Sequence, residues 1–243
     1  MAEPSRLESF RAATARGLFL DFDGSLSAIV ERPELARPVE GAVEALERAA
    51  ARLELVAVVT ARTADSLRAL MPVEGVEVFG QYGLSGAEPF PDDVRRAMAE
   101  VAGSHPGTWV EDKGGSVAVH FRDAAEPDRT GRALEAELGA AIEGTGLRLQ
   151  AGKRVWEAIP VSAPGKGAVV LREARARGLD GVLFAGDDLA DLPAFEALDG
   201  LRERGVSTVK VAVRSEETPT QLLAAADVVV DRPAGLVRLL ADL

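Results

Sequence analysis

Short apolar runs separated by helical patterns dominate both ends of the chain. The runs are continuous rather than alternating, which is typical of strands buried on both faces. They are GLFLDF, LELVAVVTAR, VEVFG, GVLFAGDD, VSTVKVAV and ADVVVD. Apolar residues at helical spacing lie between most runs; one predicted helix, within residues 39–53, presents Val43, Leu46, Ala50 and Leu53. This alternation predicts an α/β fold with a doubly wound parallel sheet.

The middle of the chain breaks this alternation. DDVRRAMAEVAG and EPDRTGRALEAELGAAIEG have helical spacing, and each is followed by two short apolar segments. One of these, SVAVHF, alternates between large apolar residues and small or polar ones, as an antiparallel strand with one covered face does. We therefore predict a core domain, residues 1–91 and 161–243, with an α+β cap domain, residues 92–160, inserted into it.

Composition and charge limit the kinds of binding partner and the cellular compartment that we expect. The net charge of −11 argues against a nucleic acid or an anionic membrane as the main partner, although it permits a small anionic substrate. The chain contains no cysteine, which excludes disulfides and thiolate chemistry and suits a reducing compartment. No apolar run approaches the roughly 20 residues of a membrane helix, and the N-terminal segment lacks an apolar signal core. We expect a cytoplasmic monomer.

Four polar features follow predicted strands or begin a predicted helix. They are the acids of DFDGS, Thr60 in VVTAR, Lys166 in PGKG and the acids of GDDLAD. Ligands bind outside the carboxyl ends of parallel strands, so we expect these groups to converge. Each has an ordinary alternative when taken alone: the acidic motifs are common turns, Thr60 could cap a helix, and Lys166 could begin a solvated one. Their joint occurrence favours a site.

The clustered acids indicate a magnesium-dependent phosphoryl-transfer site. Two carboxylates about 4 Å apart repel each other by about 4 kcal/mol at an effective dielectric constant near 20. Mg²⁺ reverses this repulsion and prefers oxygen ligands. Asp21 would then attack phosphorus and form an aspartyl phosphate, with Asp23 as the general acid and base. Thr60 and Lys166 would hold the phosphoryl oxygens, and Gly24 would allow backbone N–H groups to approach the phosphate.

These motifs resemble those of the haloacid-dehalogenase (HAD) phosphatase superfamily. The resemblance covers nearly the whole chain and implies a Rossmann-like core with a cap. It implies that Asp21 is both nucleophile and Mg²⁺ ligand, and that Asp23 binds Mg²⁺ through its backbone carbonyl. It also implies that Asp187 is the remaining protein ligand. By the same resemblance Asp188, which we include among the metal ligands, and Asp191 lie beside it and position ligands or act through water.

Within that superfamily the chain resembles the trehalose-6-phosphate phosphatases. The resemblance is carried by DFDGSLSAIVERPELA, TARTADSL, GQYGLS, VEDKGGSVAVHFRDA, KRVWEAIP and GDDLADLPAF. It implies that four cap residues meet the sugar hydroxyls: Glu111, Lys113, Arg122 and Glu157. Gly24, Ser25 and Arg62 complete the predicted substrate-binding set.

The motifs also depart from the family pattern at several positions. Ser25 stands where the family usually has Thr, and Thr60-Ala61-Arg62 stands where Ser-Gly-Arg is usual. Ala190, Leu192 and Pro193 replace Thr, Glu and Asp, which removes polar groups beside the expected metal.

The motifs predict a phosphoric monoester hydrolase that acts with Mg²⁺, and the resemblance implies trehalose 6-phosphate as its substrate. The alternatives are a phosphatase for another sugar phosphate of the sucrose or mannosylglycerate type, a phosphomutase, and a non-catalytic sugar-phosphate sensor. A phospho-accepting receiver domain fits poorly, because its acceptor Asp follows a later strand and it has no cap. Two aromatic residues of the cap, Trp109 and Trp156, are expected in its interior, with sugar-stacking platforms as the alternative. His120 points either into the core of the cap, which we expect, or toward the sugar, and His105 is expected to be inert.

Overall fold

The computed structural model describes residues 5–84 and 90–243, and the chain divides into two units. The first comprises the chain up to Gly83 together with Pro164–Leu243, and the second comprises Leu84–Ala163. The helices of the described residues are α1 (Arg6–Ala12), α2 (Ala42–Ala50), α3 (Ala64–Leu70), α4 (Asp92–Gly103), α5 (Pro127–Ala141), α6 (Gly165–Ala176), α7 (Leu192–Arg202), α8 (Thr220–Ala225) and α9 (Arg232–Ala241). The strands are β1 (Arg16–Leu20), β2 (Leu55–Val59), β3 (Glu77–Phe79), β4 (Trp109–Asp112), β5 (Val117–His120), β6 (Leu147–Gly152), β7 (Val155–Pro160), β8 (Gly181–Gly186), β9 (Ser207–Arg214) and β10 (Val228–Asp231).

A parallel sheet forms the centre of the first unit, with the strand order β10-β9-β8-β1-β2-β3. Successive strand residues point to opposite faces, so β1 contributes Leu18 and Leu20 to one buried cluster and Phe19 to the other. Helices α1, α2, α3 and α9 bury residues in the first cluster, and α6, α7 and α8 in the second. Helices on both faces confirm the predicted doubly wound α/β fold.

The second unit is an α+β arrangement of four strands and two helices. Its antiparallel sheet has the order β4-β5-β7-β6. Buried residues of α4 and α5, such as Met98 and Leu134, pack with Val117 and Val119 of β5 in one hydrophobic cluster. The helices therefore cover one face of the sheet, as the alternation in SVAVHF predicted.

The details of helix faces and ends differ in part from the sequence prediction. In α2, Leu46 is buried as predicted, but Val43 and Ala50 are only half-buried, because the buried stripe runs through the neighbouring residues Ala42, Ala45 and Ala49. Gly178 follows α6 with a φ of +61°, the left-handed conformation expected of a glycine at this position. Across residues 5–84 and 90–243, no helix combines the length and apolar character needed to cross a bilayer.

Candidate active site

Three acidic side chains converge at the carboxyl ends of two adjacent strands. Asp21 directly follows β1 and Asp187 directly follows β8, and these strands pair side by side. The backbone N–H of Asp21 continues this pairing by donating to the carbonyl of Ala185 at 2.9 Å. Carboxylate oxygens of Asp21, Asp187 and Asp191 lie within 4.8 Å of one another, and all three residues are buried. The topology therefore brings together acids that are far apart in the sequence.

Lys166 supplies positive charge inside this cluster. Its Nζ lies 2.6 Å from Oδ1 of Asp21 and 2.6 Å from Oδ1 of Asp191. Although Lys166 is near the start of α6, it is only 4% exposed, so the alternative of a solvated helix start is wrong. Burial by itself would lower the pKa of Lys166, but the charges of Asp191 and Asp21 outweigh it and hold that pKa above its usual value.

The pKa of Asp21 is raised to about 7 in this environment. Burial is the largest cause, and the nearby negative charges of Asp191 and Asp23 act in the same direction. Lys166 opposes both but does not cancel them. The cluster therefore holds more negative charge than one lysine balances, and an additional cation would favour the ionised form of Asp21.

Asp191 holds the loop that carries the other two acids of GDDLAD. Its Oδ2 accepts hydrogen bonds from the backbone N–H groups of Asp187 at 2.9 Å and Asp188 at 3.0 Å. The carboxylate of Asp188 accepts from the N–H of Leu189 at 2.7 Å, at the start of a short 3-10 helix. The structure thus includes Asp191, not Asp188, in the buried cluster, and direct metal binding by Asp188 stays a prediction.

Gly24 allows the loop that follows β1 to approach Asp187 closely. Its φ is +90°, and a Cβ atom at this position would overlap the carboxylate of Asp187. The N–H of Gly24 donates to the carbonyl of Ser27 at 2.8 Å and is therefore already engaged. The contribution of Gly24 to the site is its lack of a side chain, which allows the backbone to approach closely. Next to it, Oγ of Ser25 is buried and has no hydrogen-bond partner among the described residues, which suits a group awaiting a ligand oxygen.

Thr60 lies directly after β2 and is 1% exposed. Its Oγ1 accepts a hydrogen bond from the backbone N–H of Arg62 at 3.1 Å, and its hydroxyl hydrogen can still be donated. The alternative that Thr60 caps the next helix is wrong. Thr63 is that cap, since its side chain accepts from the N–H of Ser66.

Arg62 forms a two-point ion pair with Asp23. Its Nε lies 2.8 Å from Oδ2 of Asp23, and its Nη2 lies 2.7 Å from Oδ1. Nη1 donates to the carbonyl of Pro33 at 2.9 Å, and the guanidinium lies over the ring of Phe22. Sequence reasoning placed Arg62 in the substrate-binding set; the structure places it against Asp23, whose carboxylate it orients. Contact between Arg62 and substrate stays a prediction.

The second unit brings together three of the four predicted sugar-binding residues. Nζ of Lys113 lies 3.0 Å from Oε2 of Glu157 and 3.9 Å from Oε2 of Glu111. Glu157 is buried, and its Oε1 accepts a hydrogen bond from Oγ of Ser116 at 2.7 Å. Ser116 was missed by sequence reasoning. Arg122 donates to the carbonyl of Lys153 at 3.3 Å.

Trp156 packs against the hydrophobic cluster of the cap, as expected. Trp109 and His120 pair with each other on the face opposite to Val110 and Val119, so for these two the interior alternative is wrong. Trp109 is two residues from Glu111 on β4, so both point to the same face. The same alternation could have placed Trp109 correctly from the sequence.

Comparison with known proteins decides the family. A family model described as trehalose-phosphatase matches residues 85–229, more than half of the chain. The chain belongs to the trehalose-phosphatase family. The trehalose-phosphate phosphatase of Mycobacterium avium (strain 104) is 36% identical over 213 residues, which cover 78% of this chain and 53% of that protein. This trehalose-phosphatase family member therefore spans about half the length of the curated relatives that it matches.

Solved structures confirm the predicted HAD fold for this member of the trehalose-phosphatase family. The C-terminal domain of C. albicans trehalose-6-phosphate phosphatase matches with a TM-score of 0.83 and 20% identity, over 98% of this chain and 96% of that one. A haloacid dehalogenase-like hydrolase from Bacteroides thetaiotaomicron matches with a TM-score of 0.67 and 13% identity, over 94% and 99% of the two chains. At these identities the likeness shows the fold alone.

Proposed function

We propose that this chain is a phosphoric monoester hydrolase that converts trehalose 6-phosphate to trehalose and inorganic phosphate. The observation that carries the proposal is the buried contact between Asp21 and Lys166, beside Asp187 and Asp191, in a chain of the trehalose-phosphatase family. A nucleophilic carboxylate needs a neighbouring positive charge to receive a phosphoryl group, and this arrangement provides one.

The donor atoms of the acidic cluster fit Mg²⁺. They are carboxylate oxygens, they lie within 4.8 Å of one another, and the negative charge around Asp21 is only partly balanced by Lys166. Oxygen-only ligands select a hard cation such as Mg²⁺. Asp21 and Asp187 would hold the ion with the backbone carbonyl of Asp23, and Asp188 would assist directly or through water. When bound, Mg²⁺ supplies charge neutralisation at the phosphoryl group.

The first half-reaction transfers the phosphoryl group to Asp21. A carboxylate oxygen of Asp21 forms a bond to phosphorus while the bond from phosphorus to the sugar oxygen breaks, and Asp23 donates a proton to that oxygen. Thr60, Ser25 and Lys166 hold the phosphoryl oxygens. The transfer requires Asp23 in its protonated form, which keeps an acceptor oxygen for Arg62, and this contact orients the carboxyl group toward the leaving oxygen.

The second half-reaction releases phosphate. Asp23, now ionised, takes a proton from a water molecule whose oxygen attacks the phosphorus. The bond between phosphorus and Asp21 breaks, and the carboxylate is regenerated. One water is consumed, and trehalose and inorganic phosphate are the products.

The sugar is recognised by charged groups of the cap. Glu111 of β4, Lys113 just after β4 and Glu157 of β7 lie close together, and Arg122 completes the set implied by the family resemblance. Hydrogen bonds from hydroxyl groups to charged partners are stronger than those between neutral groups. A group of charged side chains of this kind therefore suits a hydroxyl-rich ligand.

Phosphate release from a panel of substrates tests the proposal. We expect the highest kcat/KM with trehalose 6-phosphate in the presence of Mg²⁺, with sucrose 6-phosphate, glucose 6-phosphate, mannosylglycerate phosphate and p-nitrophenyl phosphate for comparison, and loss of all turnover in EDTA. Glu157→Ala should lower kcat/KM for trehalose 6-phosphate far more than for the aryl phosphate. Glu137→Ala, at a half-exposed position on α5, is the matched control and should lower neither.

Other outcomes identify the alternatives. A clear preference for a different sugar phosphate would replace the proposed substrate, and isomer interconversion without phosphate release would indicate a phosphomutase. Tight binding without any release, even from the aryl phosphate, would indicate a sensor. The expectations of a monomer and of a cytoplasmic location stay predictions.

A further inference from the structure

The cap sheet has a second face, opposite the one that its helices cover. Trp109 pairs with His120 and Glu111 pairs with Ala118 between strands β4 and β5, and directly paired residues share a face. The alternate residues Val110, Val117 and Val119 point the other way, into the hydrophobic cluster of α4 and α5. Trp109, Glu111 and His120 therefore lie together on the face away from the cap helices.

These three side chains form a stacked and hydrogen-bonded group. The rings of Trp109 and His120 are parallel within 7°, with their centroids 3.8 Å apart. Nε2 of His120 lies 2.9 Å from Oε2 of Glu111. Because an ionised carboxylate only accepts hydrogen bonds, this nitrogen is the donor. The indole thus fixes the plane of the imidazole, and the imidazole fixes one oxygen of Glu111.

We propose that His120, supported by Trp109, is a positioning residue that holds Glu111 for recognition of the sugar. This inference rests on the proposed function, in which Glu111 binds sugar hydroxyls. An ionised carboxylate has about four acceptor sites, so a bond from His120 does not use up its capacity. A glutamate held in place before the substrate arrives loses less side-chain freedom on binding, which increases affinity.

The chain contains a second histidine–glutamate pair that serves as a control. Nε2 of His105 lies 3.1 Å from Oε2 of Glu137. His105 follows α4 and Glu137 lies on α5, so this pair joins the two cap helices and is not on the β4–β5 strand pair. The same chemistry is therefore present in the same unit without a sugar-binding residue.

Kinetics of histidine variants test the proposal. His120→Asn, whose side chain is too short to reach Glu111, should lower the ratio of kcat/KM for trehalose 6-phosphate to that for p-nitrophenyl phosphate about tenfold, mainly through KM. This factor corresponds to about 1.4 kcal/mol. His120→Gln, whose amide can occupy the position of Nε2, should recover most of the ratio. His105→Asn should leave the ratio unchanged.

A double-mutant cycle shows whether His120 acts through Glu111. In a Glu111→Ala background, which removes the acceptor of the His120 N–H, His120→Asn should lower the ratio less than twofold further. Independent, multiplicative effects would overturn the proposal, as would an unchanged ratio in His120→Asn. If that variant does not fold, His120→Phe, which keeps a ring against Trp109, takes its place in the same cycle. A wild-type protein that does not hydrolyse trehalose 6-phosphate would overturn the proposed function as well, whereas normal wild-type turnover with a failed cycle overturns this inference alone.

Discussion

Lys166→Met would remove the cation that lies 2.6 Å from both Asp21 and Asp191. At that distance a unit-charge pair attracts by about 6 kcal/mol at an effective dielectric constant near 20. The cost of taking the lysine out of water, several kcal/mol, offsets part of the two attractions. Removing one partner of a buried ion pair nevertheless costs about 3–5 kcal/mol, because the remaining charge is left uncompensated. We expect a loss of at least that size in the free energy of unfolding, measured by urea denaturation in EDTA at pH 8.

Lys210→Met is the matched control for this substitution. Lys210 is also nearly buried, and its Nζ lies 2.8 Å from Oδ1 of Asp199, but the side chain of Asp199 is 48% exposed. Solvent screens that pair, so its loss should cost about 1 kcal/mol or less. If Lys166→Met costs no more than Lys210→Met, the acidic cluster does not depend on its lysine, and the reasoning about its charge balance is refuted.

The pH dependence gives a second check on the same cluster. Burial, with Asp191 and Asp23, raises the pKa of Asp21 to about 7, above its unfolded value. Protonation of Asp21 therefore stabilises the folded, metal-free protein fully below about pH 4, and this contribution is lost as the pH rises through about 7. Without Lys166 the pKa of Asp21 would rise further. The cost of Lys166→Met should thus be larger at pH 8 than at pH 5, and a cost independent of pH would contradict this assignment.

Three further substitutions separate the roles at the site. Asp21→Asn should abolish phosphate release and keep the circular dichroism spectrum, because it retains shape and loses the nucleophile; near-normal turnover would exclude the covalent mechanism. Gly24→Ala places a side chain against Asp187 at a φ of +90°, so urea denaturation should show a loss of about 1–3 kcal/mol and the Mg²⁺ concentration for half-maximal activity should rise. Arg62→Lys cannot bind Asp23 at two points, so kcat should fall more for the sugar phosphate than for p-nitrophenyl phosphate, whose leaving group needs no proton; equal losses would count against Arg62 acting through Asp23.

The core strands were predictable because strands buried on both faces appear in the sequence as continuous apolar runs. GVLFAG, for example, became β8 with every residue buried. Helices α1, α8 and α9 were missed. Helix α8 has only six residues, too few to show a helical period, whereas α1 did carry a signal, a capping box between Ser5 and Glu8. Short helices are stabilised mainly by packing on the sheet, and the local sequence gives only a weak signal of such packing.

The sequence predicted which site residues lie at the ends of strands, but it did not predict all of the contacts between their side chains. Asp21 and Asp187 directly follow adjacent parallel strands, so they lie close together regardless of the loop conformations. Whether Asp188 or Asp191 turns inward depends on the short 3-10 helix at Leu189–Asp191, and the sequence alone did not indicate it. The pairing of Arg62 with Asp23 likewise joins residues 39 positions apart and depends on the directions of both side chains.

Asp191 gives the loop after β8 a framework that is independent of any ion. One of its oxygens contacts Lys166, and the other accepts two backbone N–H groups, so the turn that presents Asp187 is fastened by the chain itself. If the proposed magnesium ion binds here, the loop would not need to refold each time the ion leaves and returns. Dilution or chelation of the ion should therefore abolish phosphate release reversibly, and activity should return within the time of mixing when magnesium is restored.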